Sequence, residues 1–418
     1  MSHVNLNNLT YNFSDKSKRN LWTVFGVGIL LLILGIVFNM SGGHAEAGAH
    51  EAHDHSASLG QRIWANILVN SYFFGGLALG SVFFYAVQYA AQASWSTVFM
   101  RLFSAAGTFL PIGMGLIILV LIVGRVGGHH LYHWQDPQAY VNDPIMQHKA
   151  VYFADWFFWL RIAVFVGGWC WYQAWSRKNA LNEDTMRGET GTNWLLNLKN
   201  AAIFIVFFGF TSSVFSWDVM MSIDTHWYST LFGWYNFSGW WLGAIIVANL
   251  LVMHLKSRNQ LEYATASHVH DLGKWMFAIS FLWTYLWFSQ FMLIWYSNIP
   301  EEVVYYQQRW EQYRGLFWIT MIVNFSFPML VLMSRDSKRN KSYLLFTALI
   351  ILFFHWTDTF VMVMPGTVAE HWGIGGIEIG MFIAFAAFFT FWILRAISQA
   401  PLLAKNHALL EEGLHHHA

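Results

Sequence analysis

The chain has 418 residues, 56% hydrophobic and only 11% charged, with Lys plus Arg equal to Asp plus Glu at 23 each. That is about half the charge of an ordinary soluble domain, which argues against a soluble multidomain enzyme, and a formal net charge of zero gives no general attraction to nucleic acid. The single cysteine, Cys170, leaves no disulfide framework, no iron–sulfur ligand set and no Cys-x-x-Cys-His for covalent haem.

Apolar stretches long enough to cross a bilayer as helices recur along the whole sequence, so the expected fold is an all-α polytopic membrane protein. A polar tail, 1–20, carries Lys16, Lys18 and Arg19 ahead of the first span, 21–40. That span is too long and too far from the start for a signal-peptide core, so it reads as a retained helix, although Ala45-Glu46-Ala47 resembles a cleavage site. The loop 41–62 follows, with "HAEAGAHEAHDH" at 44–55, which is either a metal-binding tract or a solvated loop. Nine more spans are expected at 63–91, 98–126, 151–175, 201–221, 228–255, 272–296, 315–333, 343–364 and 374–397, followed by a tail, 398–418. With ten spans both termini share a side. Most Lys and Arg residues, including Arg177, Lys178, Arg258, Arg335 and Arg339, fall on that side, which predicts cytoplasmic termini.

Ionisable groups inside the spans are costly unless they face the bundle interior and find partners. Asp155 opens span 4, and Arg161 sits near its middle. Asp218 lies about one turn from the outer end of span 5, with Thr211, Ser212 and Ser213 about two turns inward. His355 is near the middle of span 9, and Asp358, three residues on, shares its helix face. Glu378 begins span 10. On the inner side are Asn249 and His254 of span 6, and Asp271 and Lys274 of span 7. Two readings stand for these residues. They form proton half-channels meeting at mid-depth, or they are structural pairs, with Arg161 tying down an acid on a neighbouring helix.

A b-type haem needs two histidines at matching depth on facing helices, and His355 has no such partner in the sequence. A quinone head needs a His or an acid beside an aromatic slot. His129, His130 and Asp155 are the candidates, at the outer interface. No glycine-rich phosphate loop is present, which argues against a nucleotide-driven pump.

The stretch "SWDVMMSIDTHWYSTLFGWY", 216–235, places Asp218, Asp224 and His226 in an outer hairpin lined with Trp and Tyr. It resembles the signature of the large membrane subunits of alternative complex III, a bacterial quinol:cytochrome c oxidoreductase, within the superfamily of the polysulfide-reductase membrane subunit. The resemblance extends over essentially the full chain, and the length and the 41–60 loop favour the F type of subunit. It implies two four-helix bundles, in 63–221 and 222–364, flanked by spans 1 and 10. The partners it implies are multihaem and monohaem cytochrome c subunits, a periplasmic iron–sulfur protein, a homologous ten-span subunit, small membrane subunits and a terminal cytochrome oxidase. It also implies a bacterial inner-membrane location, bound lipid, and menaquinol or ubiquinol as substrate of the complex, with no redox metal in this chain. The competing readings are a structural anchor for periplasmic subunits and a secondary transporter. For the latter, Pro111 and Pro328 do not form a convincing pair of helix breaks.

Overall fold

A computed structural model describes residues 9–42, 49–184 and 190–417, with the backbone alone at 41–42, 49–58, 142 and 190–192. The His-rich tract at 44–55, and with it the metal reading, lies outside the described side chains.

The long helices are α1 (Asp15–Gly42), α2 (Ala49–Ala90), α3 (Met100–Arg125, with a 3-10 turn at Gly107–Phe109), α4 (Asp155–Glu183) and α5 (Thr190–Val219). They continue with α6 (Leu231–Lys256), α7 (Ala266–Ser297), α8 (Pro300–Gln312), α9 (Arg314–Leu332), α10 (Lys341–Val368) and α11 (Gly376–Ser398). Among the described residues nine helices are long and apolar enough to cross a membrane: all of these except α4 and α8. The chain is therefore all-helical and of membrane type. At 29 residues α4 is long enough to cross, but Arg161, Gln173 and five tryptophans lower its hydropathy.

Two expectations about loops need correction. Residues 49–62, read as loop, are helical and extend α2 beyond its apolar part. Ala and Glu are strong helix formers, and no Gly or Pro interrupts 49–59. The segment after α7, also read as loop, contains α8. Pro300 at its first turn, followed by Glu301 and Glu302 at the positive end of the helix dipole, starts it. Its inward face buries Tyr305, Tyr306 and Arg309.

The central element is α2, whose apolar window is 94% buried, against 6% for α1. It packs against α3, α5, α6, α10 and α11. Further contacts join α3 to α4 and α4 to α5, and, on the other side of α2, α6 to α7, α7 to α9, α9 to α10 and α10 to α6. By contrast α1 lies almost wholly on α11. Glycines bring those two backbones together: a Cβ on Gly28 would sit 2.7 Å from the Ala384 nitrogen, and one on Gly35 would sit 2.6 Å from that of Ile377. Small residues are what lets membrane helices approach this closely.

The two ends of the chain meet on one face, here termed the terminal face. Thr10 bridges Pro401, and the Leu402 amide donates to the Leu9 carbonyl at 2.6 Å. Leu9, Tyr11 and Phe13 are buried there. The last residues, expected as a free tail, instead cross the ends of several helices. Asn406 donates to the Glu183 carbonyl at 2.9 Å, the His407 ring packs on Tyr89, and His268 lies 2.9 Å from the Gly413 carbonyl.

Candidate functional site

The acids expected to line one outer half-channel are not gathered into one. Asp218 is fully buried and receives two parallel bonds from Arg161, from Nε and Nη2, both at 2.9 Å. The same guanidinium donates to the Tyr152 carbonyl at 3.0 Å and lies over the Tyr152 and Phe157 rings. This is a closed, aromatic-walled ion pair between α4 and α5. Thr211 does not extend a file inward from it: its hydroxyl accepts from Trp169 and donates to the Phe207 carbonyl.

Glu378 is equally occupied. Arg62 grips both of its oxygens at 2.7 and 2.9 Å, Asn66 adds a third bond, and the Gly375 amide donates to it at the start of α11. Asp155 is half-exposed and bonded to Arg125 at 2.6 Å. Lys274 pairs with Asp271 at 2.6 Å, and Asp271 also receives His416 at 2.5 Å. In the hairpin, Asp224 accepts from Arg309 at 3.1 Å, and His226 pairs with Asp143. Asp143 lies outside the spans, and this bond holds its carboxyl below the usual range.

The outer quinone candidates do not converge on a cavity. His129 is buried with both ring nitrogens engaged: Nε2 is 2.9 Å from the Val120 carbonyl and Nδ1 accepts from the Leu131 amide. Its ring packs on Trp64 with centroids 5.3 Å apart, whereas His130 is exposed. None of the described cavities is lined by either of them or by Asp155.

The polar groups that do converge lie among α6, α7, α8, α9 and α10. Asp358 is buried on α10, about 15 Å along the helix from its end at Val368. It accepts the Tyr235 hydroxyl of α6. It also lines two cavities of about 20 Å³, each with room for about one water. The cavity beside α8 is walled by Gln290, Thr320, Tyr305, Tyr306 and Arg309, and the other by Tyr72, Asn236 and His355.

Several buried polar atoms here have no protein partner: Gln290 Oε1, Thr320 Oγ1, both amide atoms of Asn324, and His355 Nε2. Asn324 is one turn inward of Thr320 on the same face of α9. Leaving each such atom unbonded costs about 1–3 kcal/mol, so a group of them marks a place where water belongs.

At the α8 end of the site Arg309 is 1% exposed, and its guanidinium carbon lies 3.3 Å from the Tyr305 ring centroid. It donates to the carbonyls of Tyr305, Val361 and Met362 as well as to Asp224. The site thus spans from a clamped, buried arginine on α8 to a buried acid and a histidine near the middle of α10.

Sequence reasoning identified Asp358 and His355 but missed Arg309, Gln290, Thr320, Asn324 and the role of Tyr235. The amphipathic run "PEEVVYYQQRWEQ" could have exposed Arg309, because its apolar and basic residues fall on one helical face. Among the described residues no three His, Cys, Asp or Glu side chains are placed to hold a metal ion together. No protein-family model matches the sequence, and no curated protein matches it.

Proposed function

We propose that the chain is an integral membrane subunit of a respiratory quinol:cytochrome c oxidoreductase of the alternative complex III kind, and that α6, α7, α9 and α10 carry its proton path. The observation that carries the proton reading is Asp358. It sits between two water-sized cavities and is surrounded by unpartnered polar atoms on three helices. Protons hop between hydrogen-bonded carboxylates, hydroxyls, waters and imidazoles, and this arrangement supplies a carboxylate, hydroxyls, an imidazole and two cavities with room for water. Tyr235 steadies the carboxylate, Arg309 holds Asp224 at the mouth, and His355 is the next titratable group inward.

Membership in such a complex rests on the resemblance of 216–235 and on helix packing. Contacts run in a ring through α2, α3, α4 and α5, and in a second ring through α6, α7, α9 and α10, with α1 and α11 outside. That pattern accords with two four-helix bundles and two flanking helices. The meeting of Leu9–Thr10 with Pro401–Leu402 on one face is in keeping with an even number of crossings, and α4 would supply the tenth. In this reading the terminal face is cytoplasmic and the α8 face is periplasmic. Haem and iron–sulfur subunits dock on the latter, and quinol is oxidised near it.

The anchor reading is favoured around Asp218, because Arg161 closes that acid off on both oxygens. The deciding experiment is Asp358→Asn in the assembled complex, reconstituted in liposomes. The proton-path reading expects normal assembly with loss of proton-coupled quinol oxidation. Normal turnover and proton stoichiometry would leave only the anchor. Separately, affinity isolation from native membranes should bring down c-type haem and iron–sulfur subunits, and isolation of the chain without them would refute membership.

A further inference from the structure

The C-terminal segment covers an acid that the proton path does not use. Glu183, at the end of α4, is 1% exposed, and among the described residues it is the one buried acid with neither carboxylate oxygen hydrogen-bonded. Other buried polar atoms near it lack partners as well: the Tyr85 hydroxyl, Arg101 Nε, Asn193 Nδ2 and His407 Nε2. Arg101 and Asn193 lie within electrostatic reach of Glu183, Glu183 and Arg101 within reach of Tyr85, and Arg101 within reach of His407. The group is drawn from α2, α3, α4, α5 and the C-terminal segment. Buried polar atoms left unbonded are costly, so each of these gains from a move that lets water reach it.

What covers the group on the terminal face is the stretch 405–409. Lys405 and Ala408 are exposed, whereas the His407 ring is buried, with its centroid 5.4 Å from that of Tyr89. The Lys405 amide donates to the Asp184 carboxylate at 3.2 Å. The Asn406 side chain donates to the Glu183 and Asp184 carbonyls at 2.9 and 3.3 Å. Arg101 holds Asp184 in place for these contacts, at 2.7 Å.

The two ends of the stretch are fixed in a different way from its middle. On one side Leu402, Leu403 and Ala404 are buried, and Leu402 is bonded to Leu9. Two residues beyond Leu9, the Tyr11 hydroxyl lies 3.2 Å from His254 Nε2 of α6. On the other side Leu410 is buried, Ser94 donates to Glu412 at 3.0 Å, and a Cβ on Gly413 would sit 2.2 Å from Thr97 Oγ1. We infer that 405–409 form a lid between two fixed ends, and that its opening admits water from the terminal face to Glu183. On opening, the lid gives up its bonds to the end of α4 and the His407–Tyr89 contact, and Glu183, Tyr85 and Arg101 receive water in return. Neither end has to move, so opening is a local event and not release of the whole segment. The device stands on this geometry, whether or not Asp358 carries protons.

The test is thiol accessibility in the full-length chain in nanodiscs, with Cys170→Ser to remove the native thiol and Glu183→Cys as reporter. A charged, water-soluble methanethiosulfonate is added, and modification is followed by mass spectrometry. Slow labelling is expected with the lid intact, and Asn406→Ala combined with His407→Ala should speed it at least tenfold. In that variant amide exchange should rise at 405–409 and stay unchanged at 402–404 and 410–413. Asn193→Cys is the second reporter if Glu183→Cys does not fold. Fast labelling with the lid intact would overturn the inference by showing that nothing is sealed. Unchanged slow labelling of the folded lid variant would overturn it by showing that 405–409 is not the seal. Exchange rising equally across 402–413 would also overturn it, in favour of release of the whole segment.

Discussion

The Tyr235 hydroxyl donates to the Asp358 carboxylate across the seam of α6 and α10, where that acid has no cationic partner in hydrogen-bond contact. Asp218, in the other ring of helices, is gripped by Arg161 on both oxygens. Asp218 is thus committed to an ion pair by geometry, whereas Asp358 is bonded to a neutral phenol and borders two water-sized cavities. The two acids therefore predict opposite outcomes on mutation.

Asp358→Asn preserves the acceptor for Tyr235 and removes the titrating group. Assembly and thermal stability should change little, while proton-coupled turnover of the complex falls at least tenfold. Tyr235→Phe should fall between this variant and wild type. Quinol oxidation with parallel pH recording in liposomes provides the check.

Arg161→Ala leaves Asp218 buried without its ion-pair partner, and breaking a buried pair from one side typically costs about 3–5 kcal/mol. The isolated chain in detergent should unfold at markedly lower denaturant. Arg161→Met combined with Asp218→Leu should recover much of the loss, as apolar replacements of buried pairs often do. Recovery of stability with turnover intact would identify the pair as structural, and loss of turnover in a stable double variant would reverse that conclusion.

The end of the chain should respond to acid through His407. Burial, with a smaller contribution from Arg101, depresses this imidazole to about 4, against 6.5 for the free side chain. Its neutral form is favoured in the folded state, so the unfolded state binds more protons between those values. Docking of the segment is thus fully supported above about pH 6.5 and weakens as pH falls toward 4. Limited proteolysis of 399–417 should accelerate over that window, and His407→Asn should flatten the response.

Gly28→Val places a branched side chain where Ala384 backbone atoms already lie within 3.0 Å. Overpacking of a close interface costs about 1–3 kcal/mol or more. Separation of α1 from α11 should follow, measured as loss of a disulfide engineered between them, while Gly26→Val, with open space around it, should leave the cross-link intact.

Most of the helical architecture is readable from the sequence, because hydropathy alone marks apolar stretches and fixes their order. What resisted reading is pairing. Nothing in the run "DWFFWLR" says that Arg161 reaches Asp218 rather than another acid, since the partner lies 57 positions away. Glu378 read as a free acid because Arg62 sits more than 300 positions earlier. Asp358 and His355 were legible because their spacing places them on one face of one helix. Arg309 was hidden because its helix is short and lies outside any span. His129 misled for the opposite reason: its local sequence suits a quinone, but both of its nitrogens are consumed by backbone groups within ten residues.

The partnership of α1 with α11 has a consequence for how the protein is made. Of the long helices described, α1 is made well ahead of α11, its main partner, and its apolar window is 6% buried even when the two are joined. During synthesis α1 must wait in lipid, single and uncovered, while every intervening helix inserts. The glycines that later lock it to α11 leave it smooth and weakly adhesive until then. Truncation before α11 should strand α1 as a freely diffusing helix within an otherwise assembled core.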